Sequence, residues 1–262
     1  MTTTTMPTIL TLANQKGGVG KTTTAVNLAV ALTRLFAKRV LLIDMDAQGN
    51  ATTSLGLVKN ELTVTIADVL LGETSLNDAI VCDEALEVAV IGANRELTGL
   101  DMHLASRDNP QLALKNALVA ADLSAYEFII IDAPPSLSLV TVNALMATDG
   151  VIIPMQCEYY ALEGVADLLY TIQQLNPLNP KLKVEGVVRT LFDSRNVLAQ
   201  DVTKELENHF GALLYDTVIP RNVRLAEAPS FGGSIFRHDN SSKGAQAYQK
   251  LAKEVLLRLQ KN

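Results

Sequence analysis

Seven short apolar runs punctuate this chain, and few folds can absorb them: TILTLAN, RVLLID, LEVAVIGA, EFIIIDAPP, GVIIPM, VEGVVRT and LLYDTVIP. They lack the regular polar alternation of a half-exposed strand, so each reads as a strand covered on both faces. Helical patterns lie between several of them, at Thr22 to Phe36, Ser138 to Ala147, Leu162 to Leu175, Val197 to Phe210 and Gly244 to Leu259. The alternation predicts an α/β fold, a mostly parallel twisted sheet with helices on both faces. With 262 residues, 48% hydrophobic and 19% charged, the chain suits a single domain over 8–262 behind a flexible Thr-rich start at 1–7.

The first run opens directly into ANQKGGVGKTTTAVNLA, Ala13 to Ala29. A phosphate-cradling loop reads G-x-x-x-x-G-K-[ST]; here Gln15 takes the first glycine position while Gly20, Lys21 and Thr22 match. A strand before and a helix after would aim the backbone N–H groups of Gly17, Gly18, Val19 and Gly20, and the helix dipole, at phosphate. Lys21 then suits the β- and γ-phosphates and Thr22 a Mg²⁺ ion, with Thr23 beside it in the same turn. FIIIDAPPS ends a strand in Asp132, the pattern of an acid that binds Mg²⁺ through water, and LLIDMD ends another in Asp44 and Asp46. No residue resembles a covalent nucleophile beside a base, so the chemistry expected is in-line attack of water on a γ-phosphate. Lys16 is the odd residue of the loop: on the residues alone, a solvated lysine and a functional cation are about equally open.

KGGVGKTT resembles the deviant Walker A box of the ParA/MinD superfamily of P-loop ATPases. The resemblance implies that Lys16 crosses a dimer interface to the partner's ATP and that Gly17 sits where two backbones nearly touch. It also implies that Asp46 positions the attacking water while Asp44 supports the Mg²⁺ shell. Ala47 stands where the family usually has proline, which puts the stiffness of this loop in question. Three later blocks, IPMQCEYYALEG, LFDSRNVLAQDV and VIPRNVRLAEAPSFGGSI, look like those of chromosomal ParA, or Soj, proteins that segregate DNA with a ParB partner. By that resemblance Pro220 and Asn222 line an adenine pocket, and Glu158, Tyr159 and Glu163 lie near a nucleotide-dependent dimer face. The function implied is a slow Mg²⁺-dependent ATPase that forms an ATP-dependent homodimer, binds DNA non-specifically and is stimulated by a ParB-like protein.

Composition sets limits on that reading. A net charge of −6 and a pI near 5.1 repel nucleic acid on average, so any DNA contact must come from a local basic face. About a dozen residues precede the loop, too few for a helix-turn-helix, and the basic candidates lie late in the chain: Arg189, Arg195, Arg221, Arg224, Arg237 and Lys243. Of these, Arg195, Arg221, Arg224 and Lys243 are the expected DNA contacts. Neither a basic leader nor an apolar run of about 18 residues is present, so a cytoplasmic protein is expected, and the ParA/Soj resemblance implies that it is nucleoid-associated. The alternative, a MinD-like membrane-associated regulator, needs the last helix to bind lipid. In that helix Tyr248, Leu251, Ala252, Val255, Leu256 and Leu259 fall at a spacing that suits a core face. Cys82 and Cys157 read as buried free thiols outside the contexts of an iron–sulfur relative, and His103, His209 and His238 are scattered without ligand spacing.

Overall fold

The computed structural model describes residues 6–159 and 161–260. All seven apolar runs are strands: β1 (Thr8–Leu12), β2 (Val40–Asp44), β3 (Ala89–Ile91), β4 (Phe128–Asp132), β5 (Gly150–Gln156), β6 (Lys183–Phe192) and β7 (Leu214–Pro220). They form one sheet in the order β3-β2-β4-β1-β5-β6-β7, with every neighbouring pair parallel. The expected flexible start falls mostly on residues 1–5, outside the described residues; Pro7 is buried.

The connecting helices are α1 (Lys21–Phe36), α2 (Asn50–Ser54), α3 (Ile66–Leu70), α4 (Leu100–Ala105), α5 (Ala113–Ala120), α6 (Leu139–Ala147), α7 (Glu163–Leu175), α8 (Val197–Phe210), α9 (Val223–Glu227), α10 (Ile235–His238) and α11 (Lys243–Leu259). The five helices read from the sequence are present to within a residue at each end. The sheet explains why its strands show no alternation. Ile129 and Ile131 point into one core with Ile66, Leu114, Leu145 and Leu168, whereas Ile130 points into the other with Leu28, Leu42, Ile235 and Leu251. Each buried Leu or Ile contributes roughly 1.5–3 kcal/mol of transfer free energy, so a polar residue on either face would cost more than it could return.

The last helix is seated in the second core. Tyr248, Leu251, Ala252 and Val255 are buried, Leu256 and Leu259 pack against the same cluster, and Lys250 and Lys253 face outward. Ser242 caps it by accepting the Ala245 N–H at 3.1 Å. Among the described residues no helix is long and apolar enough to cross a membrane.

Two readings of single residues need correction. Cys157 is buried, but Cys82 is exposed, because it follows Val81 in an irregular segment joined to the sheet only by the bridge Val81–Val90. Arg189 is not part of a basic face: it lies on β6, buried, donating to the Tyr215 and Asp216 carbonyls at 3.0 and 3.3 Å. Its guanidinium fastens β6 to β7.

Candidate nucleotide site

The carboxyl end of β1, in the middle of the sheet, runs into the glycine loop. Gly18 and Gly20 both adopt left-handed backbone conformations, φ 75° and 85°, which residues with a Cβ rarely take. Gly20 precedes α1 without a side-chain cap, so the first N–H groups of α1 are left for a ligand. The loop is pinned to β6: the Val19 carbonyl accepts the Thr190 hydroxyl at 2.7 Å, and Val19 itself is buried. Leu191, next along, has φ 50°, strained for a leucine.

A cavity of about 400 Å³ opens above this loop. Gly17, Gly18, Gly20, Lys21, Thr22 and Thr23 line one end, and Pro220, Asn222, Leu225 and Tyr248 the other. Asp46, Gln48 and Asn50 stand at its side. Lys21 is buried and folds back to donate to the Lys16 carbonyl at 3.2 Å. Burial lowers its pKa, opposed by the charges of Asp132 and Asp46. Phosphate oxygens would repair that desolvation. At the far end Asn222 caps α9, its Oδ1 accepting the Leu225 N–H at 3.2 Å, so the turn role and the cavity-lining role coincide.

Behind the loop lie two buried carboxylates. Asp44 and Asp132 are in register on the parallel strands β2 and β4, both fully shielded from solvent. Their partners differ. Asp44 Oδ2 accepts the Thr52 N–H at 2.9 Å and the Thr52 hydroxyl at 2.8 Å, and Oδ1 accepts the Asp46 N–H at 3.1 Å. Neither oxygen of Asp132 has a partner within hydrogen-bond geometry, although the Thr22 hydroxyl faces it closely enough to favour its charged form. Burial pushes Asp44 up to about 6, against the pull of Thr52 and the Asp46 amide. Burial and then the charge of Asp44 push Asp132 well above the usual carboxylate range.

Orphaned hard oxygens beside a threonine hydroxyl fit a magnesium ion, and Asp132 and Thr22 are the residues that could hold it. Asp44 is spent on the loop. Among the described residues no group of three or more His, Cys, Asp or Glu side chains converges. The Asp46 loop is firm despite Ala47: Asp46 Oδ1 accepts the Gln48 N–H at 2.9 Å and its carbonyl accepts the Gly49 N–H at 2.8 Å. A Cβ on Gly49, whose φ is 60°, would meet the Ala93 carbonyl at 2.6 Å.

Lys16 does not line the cavity of its own chain. Its amine is ion-paired with Glu158, both side chains half-exposed. A Cβ added at Gly17 would meet nothing within 4 Å. Tyr159 is exposed, and Glu163 begins α7.

The surface arginines are not bare cations. Arg195 is held by both oxygens of Asp193, at 2.9 and 2.8 Å, and this contact brings Asp193 down to about 2. Arg224 pairs with Glu227 at 3.0 Å and with Asp239 at 3.8 Å. Arg221 and Lys243 are exposed, and among the described residues neither has a carboxylate within 4 Å; the Arg221 charge also reaches Asp193. Arg237 is exposed and donates to the Ala85 carbonyl at 3.3 Å.

A parallel α/β sheet whose central strand ends in a Gly-Lys-Thr loop at a helix N-terminus defines a P-loop NTPase. The AAA domain family matches residues 7–184. Over 252 residues the chain is 49% identical to the chromosome-partitioning ATPase Soj of Thermus thermophilus, covering 96% of each chain. It is 47% identical over 252 residues to the chromosome partitioning protein ParA of Caulobacter vibrioides, covering 95% of this chain and 94% of that one. It is also similar to the crystal structure of cobyrinic acid a,c-diamide synthase from Mycobacterium smegmatis with bound ADP and magnesium. That similarity has a TM-score of 0.84 and 38% identity, over 98% of this chain and 96% of the other. The chain belongs to the ParA/Soj family of chromosome-partitioning ATPases.

Tyr248, Thr190 and Leu191 were invisible as site residues in the sequence. The aromatic reads there as one more core position of an amphipathic helix, and nothing about Thr190 marks its hydroxyl as a tether for the loop.

Proposed function

We propose that the chain, working as one ATPase domain over residues 8–262, binds Mg²⁺-ATP, closes into an ATP-dependent homodimer and then binds DNA without sequence preference. With a ParB-like partner it would move chromosomal or plasmid DNA over the nucleoid, in the cytoplasm. The observation that carries this reading is the split between two lysines of one loop. Lys21 lines its own cavity, whereas Lys16 stands outside it, paired with Glu158, and a Cβ on the neighbouring Gly17 would meet nothing within 4 Å. A second copy approaching that face would receive Lys16 at its phosphates, linking dimerisation to nucleotide.

Within each site the glycine loop and Lys21 bind the phosphates, Thr22 and Asp132 hold the cation, and Asp46 orients the attacking water. Pro220 and Asn222 border the base. Bound magnesium would offset charge on the β- and γ-phosphate oxygens during transfer. Asp44 keeps Asp46 in place through the loop rather than meeting the cation directly. Intrinsic turnover should lie below roughly 1 per second, since among the described residues no arginine lines the cavity to complete the charge.

The deciding experiment measures size by light scattering and random-sequence DNA retention by filter binding, with ADP and with ATP. Dimers and DNA binding with ATP alone are expected; equal behaviour with both nucleotides would overturn the reading. Phosphate release without any acid or amide co-substrate separates it from the synthesis that the Mycobacterium smegmatis protein's name describes.

A further inference from the structure

Tyr248 belongs to α11, far along the chain from the phosphate loop, yet it is part of the cavity wall and among the described residues is the one aromatic side chain there. It is almost wholly buried, and its hydroxyl meets the Thr24 hydroxyl of α1 at 3.1 Å. Thr24 is itself fully buried, one turn after Gly20. The side chain therefore cannot swing out of place about χ1 without breaking a buried polar contact, which holds it in the wall. Around it the cavity is apolar, made by Ile219, Pro220, Leu225 and Ala226, with the Asn222 amide at the rim. Gly244, one turn before Tyr248, keeps Leu225 close: a Cβ there would lie 2.6 Å from Leu225 Cγ.

An apolar wall with an anchored aromatic ring and one amide is complementary to a heteroaromatic base. We propose that Tyr248 is a specificity-determining residue of the nucleotide site: the edge of its ring that reaches the cavity meets the base, and its hydroxyl fixes that ring to the helix that begins with the phosphate-binding Lys21 and Thr22. The assignment rests on the nucleotide-binding reading above and adds which part of the ligand α11 recognises. Base recognition and phosphate recognition are thereby separable functions of different helices.

Equilibrium binding of Mg²⁺-ATP and of Mg²⁺-tripolyphosphate, a base-less probe, tests this with Tyr248→Leu, a variant that keeps apolar bulk. The variant should bind ATP about tenfold more weakly, the scale of a lost aromatic contact, and tripolyphosphate as the parent does. Equal weakening of both ligands, or no weakening of ATP, would overturn the proposal by making Tyr248 a packing residue only. A parent protein that binds neither ligand would instead sink the phosphate site itself. Tyr248→Phe guards against misfolding of the leucine variant. The chain has six tyrosines and no tryptophan, so tyrosine emission reports on ATP directly. The ATP-induced change should be reduced in Tyr248→Phe and absent with tripolyphosphate; an undiminished change would also refute the assignment.

Discussion

Lys16 is ion-paired with Glu158 of its own chain, 142 residues away in sequence, and so is held off the cavity that its loop encloses. Both side chains are half-exposed, so the pair is worth no more than about 1 kcal/mol. It acts as a light restraint. Glu158→Gln should therefore let dimers form at up to about fivefold lower ATP, measured by light scattering. Lys16→Ala should leave monomers at any ATP concentration; unchanged dimers in Lys16→Ala would remove the lysine from the interface.

Gly17→Val separates fold from assembly. An added Cβ meets nothing within the chain, so the thermal midpoint should stay within about 2 °C of the parent, as for an innocuous surface change. ATP-dependent dimers should be lost. A stable dimer of the valine variant would show that no second backbone approaches this residue.

Asp46 lines the cavity and also receives the Gln48 N–H, so alanine would disturb both water and loop. Asp46→Asn keeps an acceptor for the loop and removes the charge. Single-turnover phosphate release should fall by about 10²-fold or more while ATP binding changes little, so that ATP-bound dimers accumulate. Parent-like release would assign water activation to another group.

Burial raises both Asp44 and Asp132, so the folded chain binds their protons more tightly than the unfolded chain does. Their contribution to stability is complete below the ordinary value of 3.8 and is lost as pH rises, through about 6 for Asp44 and higher for Asp132. The nucleotide-free protein should lose thermal stability across that window, and Asp132→Asn, which cannot ionise, should lose less. Magnesium favours the ionised form, so the stabilisation by Mg²⁺-ATP should grow as pH rises through about 6 and beyond. A Mg²⁺-ATP shift that is flat with pH would place the cation elsewhere.

For DNA, the carboxylates decide which cations count. Arg195 and Arg224 already hold Asp193 and Glu227, whereas Arg221 and Lys243 have no such partner among the described residues. Lys243→Glu should thus weaken ATP-dependent binding to all sequences alike, and Asp193→Asn should strengthen it by releasing Arg195. Arg221→Glu should weaken it too, with ATP affinity measured alongside because Pro220 and Asn222 adjoin it. Filter binding across a salt series reads both. If Lys243→Glu and Arg221→Glu keep parent affinity, the DNA face lies elsewhere.

The sheet was legible because a strand buried on both faces leaves an unbroken apolar run, and every such run became a strand. The helices between Asn50 and Ala120 were not, since α2, α3 and α4 are only five or six residues long and α5 eight, too few turns for a period to emerge. One local signal was there: Thr65 and Asp68 form a reciprocal cap at α3, a pattern readable as T-x-x-D before an apolar run. Lys21, Thr22 and Asp132 are legible as candidates because the patterns that mark them lie in neighbouring sequence. Tyr248 and Thr190 are not, because their partners, Thr24 and Val19, lie far away along the chain and meet them only through the packing of α11 and β6.

The hydroxyl tether between Thr190 and Val19 makes the phosphate loop and the end of β6 one mechanical piece. Three residues beyond Thr190 the chain emerges at Asp193, which grips Arg195 on the surface, and between them Leu191 sits at its left-handed kink. Removing the Thr190 hydroxyl would therefore detach the glycine loop from the very strand end that leads, through Leu191, to the Arg195–Asp193 pair, so that one buried hydroxyl joins a phosphate-facing loop to a charged surface turn.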